Sequence, residues 1–170
     1  MTASSPSVTD VGTCAGMTPL PGLVPHAMAV TVPVVENVRI AVDTWRLRLA
    51  CPEIAARVTP GQFFMVREPG TTEPLLGRPF ALYDTWLDSH DQLAGIDIVY
   101  LVVGKMTKTM THWRTRDAVE LWGPLGNGFP VPACDNLLLV AGGIGNTPFL
   151  GVGREALGGR TYGKPPRQLT

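Results

Sequence analysis

The seven residues Arg78-Pro79-Phe80-Ala81-Leu82-Tyr83-Asp84 place an arginine, fixed by the proline that follows it, at the head of an apolar run. A guanidinium presented from the end of a β-strand suits a phosphate, which its planar fork can grip through two hydrogen bonds. Downstream, Val99-Tyr100-Leu101-Val102-Val103-Gly104-Lys105-Met106-Thr107 reads as a strand that runs through a glycine into a helix. Thr107 is able to cap that helix, and a helix start attracts anions through its free N–H groups and its dipole. A third candidate, Gly143-x-Gly145-x-x-Pro148, is a glycine turn between the apolar run Leu137-Leu138-Leu139-Val140-Ala141 and a helix-like stretch. Each has a plainer reading beside it. Arg78 can be a surface arginine next to a buried strand, Tyr100 and Val102 can be core residues, and the glycines can be there for sterics alone.

Other chemistries find little support. His26, His90 and His112 do not stand at metal-ligand spacing, and no Ser-His-Asp set or carboxylate pair is visible. Cys14, Cys51 and Cys134 are odd in number and scattered, which argues for a reducing compartment and against a disulfide framework or a metal site built from them. Lys+Arg and Asp+Glu both number 14, so charge gives no case for nucleic acid or an anionic membrane. The four tryptophans, Trp45, Trp86, Trp113 and Trp122, read as packing residues. No apolar run approaches membrane-spanning length and no signal peptide is visible, so the chain reads as cytoplasmic.

The elements that must hold these candidates follow from periodicity. Residues 1–27 carry one acid, no Lys or Arg and no sustained apolar period, and read as a disordered leader. Val38, Ile40 and Val42, then Trp45, Leu47 and Leu49, alternate with polar or small neighbours, which predicts two antiparallel strands joined at Asp43-Thr44. Further strands are expected at 62–67, 78–84, 96–103 and 118–122, with a short helical turn at 52–58, a polar loop at 85–95 and a helix at 107–114. Six antiparallel strands and one helix predict a mainly β protein closed as a barrel. Leu137–Ala141 is apolar throughout, as in a parallel strand buried on both faces, and 148–157 reads as the helix after it.

Five motifs in order, namely Pro60-Gly61-Gln62-Phe63, the Arg78 segment, the Val99–Thr107 segment, Gly123-Pro124-Leu125-Gly126-Asn127-Gly128-Phe129 and Ala141–Pro148, resemble the ferredoxin reductase-like flavoproteins. Among these the likeness is to the electron transfer subunits of B-type dihydroorotate dehydrogenase, over roughly residues 30–157. The resemblance implies a six-stranded Greek-key FAD-binding barrel at 28–131 and an incomplete NAD-binding domain at 132–170, of which only the first strand and helix are present. It implies that Arg78 binds the FAD pyrophosphate, that Pro79 and Phe80 shape the flavin site, and that Ala81 stands where a hydroxyl residue usually hydrogen-bonds the flavin. By the same token Val99, Tyr100 and Leu101 take ribose and adenine contacts. Met106, in place of a glycine, and Thr107 take phosphate, and Gly143, Gly145 and Pro148 form the nicotinamide-nucleotide turn. Gly126-Asn127-Gly128 reads as a turn rather than a ligand site. The family also implies NAD(P)H, a catalytic dihydroorotate dehydrogenase subunit as partner, and a [2Fe–2S] cluster. The cysteines for that cluster are absent after Cys134, so the cluster is not carried over. The expected activity is electron transfer from NAD(P)H to that partner in pyrimidine biosynthesis. Two alternatives stand beside it: a flavin reductase of the same superfamily with another acceptor, and a non-catalytic barrel acting as an interaction module.

Overall fold

The computed structural model describes residues 27–72, 76–131 and 134–163. The leader expected at 1–27 lies outside the described residues apart from Ala27. Six antiparallel strands, β1 (Met28–Ala41), β2 (Thr44–Ala50), β3 (Phe63–Arg67), β4 (Arg78–Leu87), β5 (Leu93–Leu101) and β6 (Ala118–Leu125), close into a barrel in the order β1-β2-β5-β4-β3-β6. Closure pairs every strand on both sides and leaves no open edge. Three α-helices accompany them among the described residues: α1 (Pro52–Ala55), α2 (Lys105–Met110) and α3 (Phe149–Ala156), the last preceded by a 3-10 turn at Gly143–Asn146.

The period of two does what it predicts. Leu47 and Leu49 of β2, Phe64 and Val66 of β3, Ile96 and Ile98 of β5, and Val119 and Leu121 of β6 all meet in the barrel interior, essentially free of solvent. Each such side chain contributes roughly 1.5–3 kcal/mol of burial. Between them Arg46 and Arg48 point outward, where Arg48 reaches both oxygens of Asp97 at 2.8 Å and lies over the Trp86 ring.

Several boundaries depart from the sequence reading. The expected loop at 85–95 shrinks to Asp88–Gln92, because Thr85 and Trp86 continue the ladder opposite Ile96 and Gly95. The Asp88 carboxylate then accepts the N–H groups of His90 and Gln92, which closes a tight hairpin. Helix α2 starts and ends earlier than the expected 107–114. Its N-cap is Gly104, and Thr107 caps from the third helical position, where its hydroxyl accepts the Gly104 N–H. Leu137–Ala141 is not a strand: Leu138 and Val140 are 86% and 79% exposed. A parallel strand needs a neighbour to pair with, and none stands beside it among the described residues.

Candidate functional site

A cleft of about 640 Å³ opens between the head of β4, the end of β5, the start of α2 and the turn that leads into α3. That volume lies within the range of small-molecule sites. Eleven of the twelve residues singled out in the sequence line it: Arg78, Pro79, Phe80, Ala81, Val99, Tyr100, Leu101, Met106, Thr107, Gly145 and Pro148. The twelfth, Gly143, lines an adjoining hollow that shares Val99, Leu101, Ile144 and Thr147 with the cleft. Barrel closure brings the first two stretches together, and the turn ahead of α3 adds the third.

Arg78 is exposed at the cleft rim. Its Nη1 donates to the carbonyls of Leu76 and Gly77, at 3.1 and 3.4 Å, and no carboxylate pairs with it among the described residues. Among the described residues its guanidinium is thus open to an anionic ligand. Ala81 pairs with Phe63 across the β3–β4 ladder, on the same wall.

The floor is rigid. Tyr100 is 1% exposed and meets Phe80 edge to face, with ring centroids 6.1 Å apart. Its hydroxyl donates to Asn37 Oδ1 at 3.2 Å, while Asn37 Nδ2 donates to the Met110 and Trp113 carbonyls at 2.7 and 3.4 Å. Burial pushes the Tyr100 phenol up to about 12, so it stays protonated. Tyr100 is thus core and cleft floor at once, and Asn37 ties it to the end of α2. Sequence reasoning missed Asn37, since nothing local marks a residue of β1 as a partner of both.

Thr107 lines the cleft, yet its hydroxyl is engaged: Oγ1 accepts the N–H groups of Val103 and Gly104 at 3.0 Å each. It shapes the turn ahead of α2, and what that turn offers a ligand is mainly backbone. Gly104 and Gly145 line the cleft with open space where a Cβ would project. These two open positions, in a cleft that also holds Arg78, Phe80 and Tyr100, suit a phosphate-bearing cofactor with a flat aromatic part.

A brace behind the cleft joins two of the glycine motifs. Buried Gln62 accepts the Thr59 N–H at 2.9 Å and donates to the Gly126 carbonyl at 2.8 Å, and the Phe129 N–H donates to Pro60 at 2.7 Å. Gly61 has φ +89°, and a Cβ there would lie 2.6 Å from the Phe129 ring, so only glycine fits. Gly61, Phe63, Val103, Gly104, Lys105, Phe129, Ile144 and Thr147 also line the cleft and are not among the expected site residues. Their place inside the quoted motifs was the available signal.

The described residues do not fit a [2Fe–2S] cluster. Among the described residues no three His, Cys, Asp or Glu side chains gather. Cys51 is buried, which pushes its thiol up to about 12, and Cys134 is exposed elsewhere. Among the described residues no helix is long and apolar enough to cross a membrane.

No protein-family model matches the chain. The chain is 33% identical over 123 residues to the electron transfer subunit of dihydroorotate dehydrogenase B (NAD(+)) from Fusobacterium nucleatum, a match that covers 71% of this chain and 46% of that protein. It is 37% identical over 125 residues to the subunit of the same name from Geobacillus thermodenitrificans, covering 72% and 47%. Among solved structures, an NADH-dependent reduced ferredoxin-NADP oxidoreductase superposes with a TM-score of 0.64 at 27% identity, covering 75% of this chain and 44% of that one. The chain is homologous to these electron transfer subunits, and its barrel has the ferredoxin reductase-like fold. It spans about half the length of the relatives it matches.

Proposed function

We propose that this chain holds FAD in the cleft and passes electrons from NAD(P)H towards a catalytic dihydroorotate dehydrogenase subunit in pyrimidine biosynthesis. The observation that carries the reading is the convergence of Arg78–Ala81, Val99–Leu101, Met106–Thr107 and Gly145–Pro148 on one cleft. Homology to electron transfer subunits supports it. In this reading residues 28–131 form the FAD-binding domain and 132–170 begin a nucleotide-binding domain. A cytoplasmic location belongs to this reading, and the odd, scattered cysteines support it.

The chemistry supplied by the bound flavin is acceptance of electrons from the nicotinamide nucleotide and their release to an acceptor. The chain's own residues bind and orient. Arg78 offers its guanidinium to the pyrophosphate. Phe80, Tyr100 and Leu101 provide apolar surface, and Met106 and Thr107 bring the start of α2 to the cleft. Gly143, Gly145 and Pro148 present the backbone of the opposite wall to a nicotinamide nucleotide.

A visible spectrum of the purified protein after incubation with FAD and desalting tests this. Flavin bands at about one per chain are expected. A colourless protein after saturation with FAD overturns the reading and leaves the non-catalytic module. A reductase with a different acceptor is favoured by the likeness of the barrel to a ferredoxin-NADP oxidoreductase. Co-purification with a catalytic dihydroorotate dehydrogenase subunit separates the two.

A further inference from the structure

Strand β4 is bulged at Tyr83: Leu82 pairs with Ile98 and Asp84 with Asp97, so two steps on β4 match one on β5. A bulge re-aims the side chains that follow it. Leu82 and Ile98 belong to the core, whereas Asp97 faces outward to Arg48. Asp84 therefore lies on the outer face beside Asp97, yet it is only 5% exposed. Opposed carboxylates on neighbouring strands repel, and a buried charge is tolerated only when it is paired.

Apart from the Thr85 N–H at 2.9 Å, the partners of Asp84 come from α3 and the residues that follow it. Arg154 donates to Oδ2. Tyr162 donates its hydroxyl to Oδ1 at 2.8 Å, and Arg160 stands 3.4 Å from the same oxygen while it also bonds the Thr85 carbonyl. Pro148, on one wall of the cleft, is the residue just before α3. Asp84 lies on the strand that supplies Arg78–Ala81 to the other wall. The apolar residues Leu137, Leu138 and Val140 are exposed and give the turn little anchorage on its other side.

We propose that Asp84 is a positioning residue: it latches α3 and residues 160–162 to β4, and so fixes the Gly143–Pro148 turn against the wall formed by Arg78–Ala81. The purpose of that fixed geometry rests on the reading of the cleft as a site where a nicotinamide nucleotide meets a flavin. Transfer between two bound groups depends on their being held in register, and the latch is a direct polar link between the elements that carry them.

Hydrogen exchange and FAD titration of the whole chain test this with Asp84→Asn, Asp84→Glu, Arg154→Gln and the double variant Asp84→Asn/Arg154→Gln. Asp84→Asn and Arg154→Gln are expected to speed exchange in residues 143–157 at least tenfold, with β2 and β5 unchanged. The double variant should go no further than Asp84→Asn, since both remove one link, and Asp84→Glu should retain most of the protection. FAD affinity should weaken severalfold at most, because Arg78 and the β5 floor remain. Wild-type exchange in both single variants, equal loosening of β2 and β5, or additive effects in the double variant would each overturn the latch. Arg154 is part-exposed, so its variant folds and decides the matter even where Asp84→Asn does not. A wild-type chain that fails to take up FAD sinks the flavin reading alone, since the exchange data judge the latch without any ligand.

Discussion

Strand β4 carries two charges that the fold treats in opposite ways. Arg78 at its head is exposed and, among the described residues, bonded to two carbonyls of its own loop. Asp84, further along, is buried and saturated by Arg154, Arg160, Tyr162 and a backbone N–H. Both fit the same strand because the residue between them that faces the core, Leu82, is 1% exposed and fixes its register. A charge with its partners already supplied holds the fold together. A charge left open at the rim of an apolar cleft is available to a ligand.

The largest break in this comparison comes from the residue both ends share. Leu82→Ala removes a fully buried side chain from the barrel interior, and the cavity left behind should cost about 2.7–5 kcal/mol. Urea denaturation should show the midpoint falling by the corresponding amount. If β4 is the common support, loss of FAD binding and faster exchange in 143–157 should appear together. A midpoint within error of wild type would mean that the strand is not held by its core face.

Arg78→Ala separates the two ends. A hydrogen-bonded ion contact to phosphate contributes about 1.5–3 kcal/mol, so FAD affinity should fall about 10- to 100-fold. Because the guanidinium is exposed and has no ionic partner among the described residues, stability without ligand should shift by less than about 0.5 kcal/mol. Isothermal titration and a thermal melt on one preparation check both halves. Unchanged affinity in a folded variant would remove Arg78 from the site.

How far each end was legible in the sequence differs for a physical reason. Arg78-Pro79-Phe80-Ala81 and Gly143-x-Gly145-x-x-Pro148 are local strings, and alternation at Leu47, Leu49, Ile96 and Ile98 declares which faces turn inward. The barrel and the cleft could both be read from such patterns. The Asp84 cluster could not, since its partners lie 70 to 78 residues away and its direction depends on a bulge with no sequence mark. The same holds for Asn37, which meets Tyr100 and α2 only through barrel closure. Leu137–Ala141 misled for the opposite reason: an apolar run signals burial, but pairing depends on neighbouring strands that the run itself does not encode.

A buried ionisable group without a charged partner should behave unlike Asp84, and Cys51 supplies the case. Its thiol is 4% exposed, and burial raises it from 9.0 to about 12. The unfolded chain loses this proton first, so the stability it contributes is complete below about pH 9 and is lost as pH rises towards 12. From this group alone stability should fall by about 1 kcal/mol between pH 8 and 10. Cys51→Ala should flatten that limb in urea titrations at the two pH values. An equal slope in both proteins would show that the thiol does not titrate with unfolding.

The smallest expected effect tests the open end most finely. Ala81 lines the cleft on β4, opposite Phe63 in the ladder, at the position where the resemblance to the flavoproteins implies a hydroxyl residue. Ala81→Ser adds one donor at that wall and changes the side chain by a single oxygen, so the backbone pairing of β3 and β4 should persist. A neutral hydrogen bond contributes about 0.5–1.5 kcal/mol net, which predicts FAD binding tightened about two- to tenfold, with a shifted reduction potential if the bond is made to the flavin ring. Titration and a potentiometric measurement on the same variant read the two effects. If neither moves while Arg78→Ala still weakens binding, the flavin's phosphates occupy the cleft but its ring does not face Ala81, and the orientation assigned from the order of the motifs is wrong.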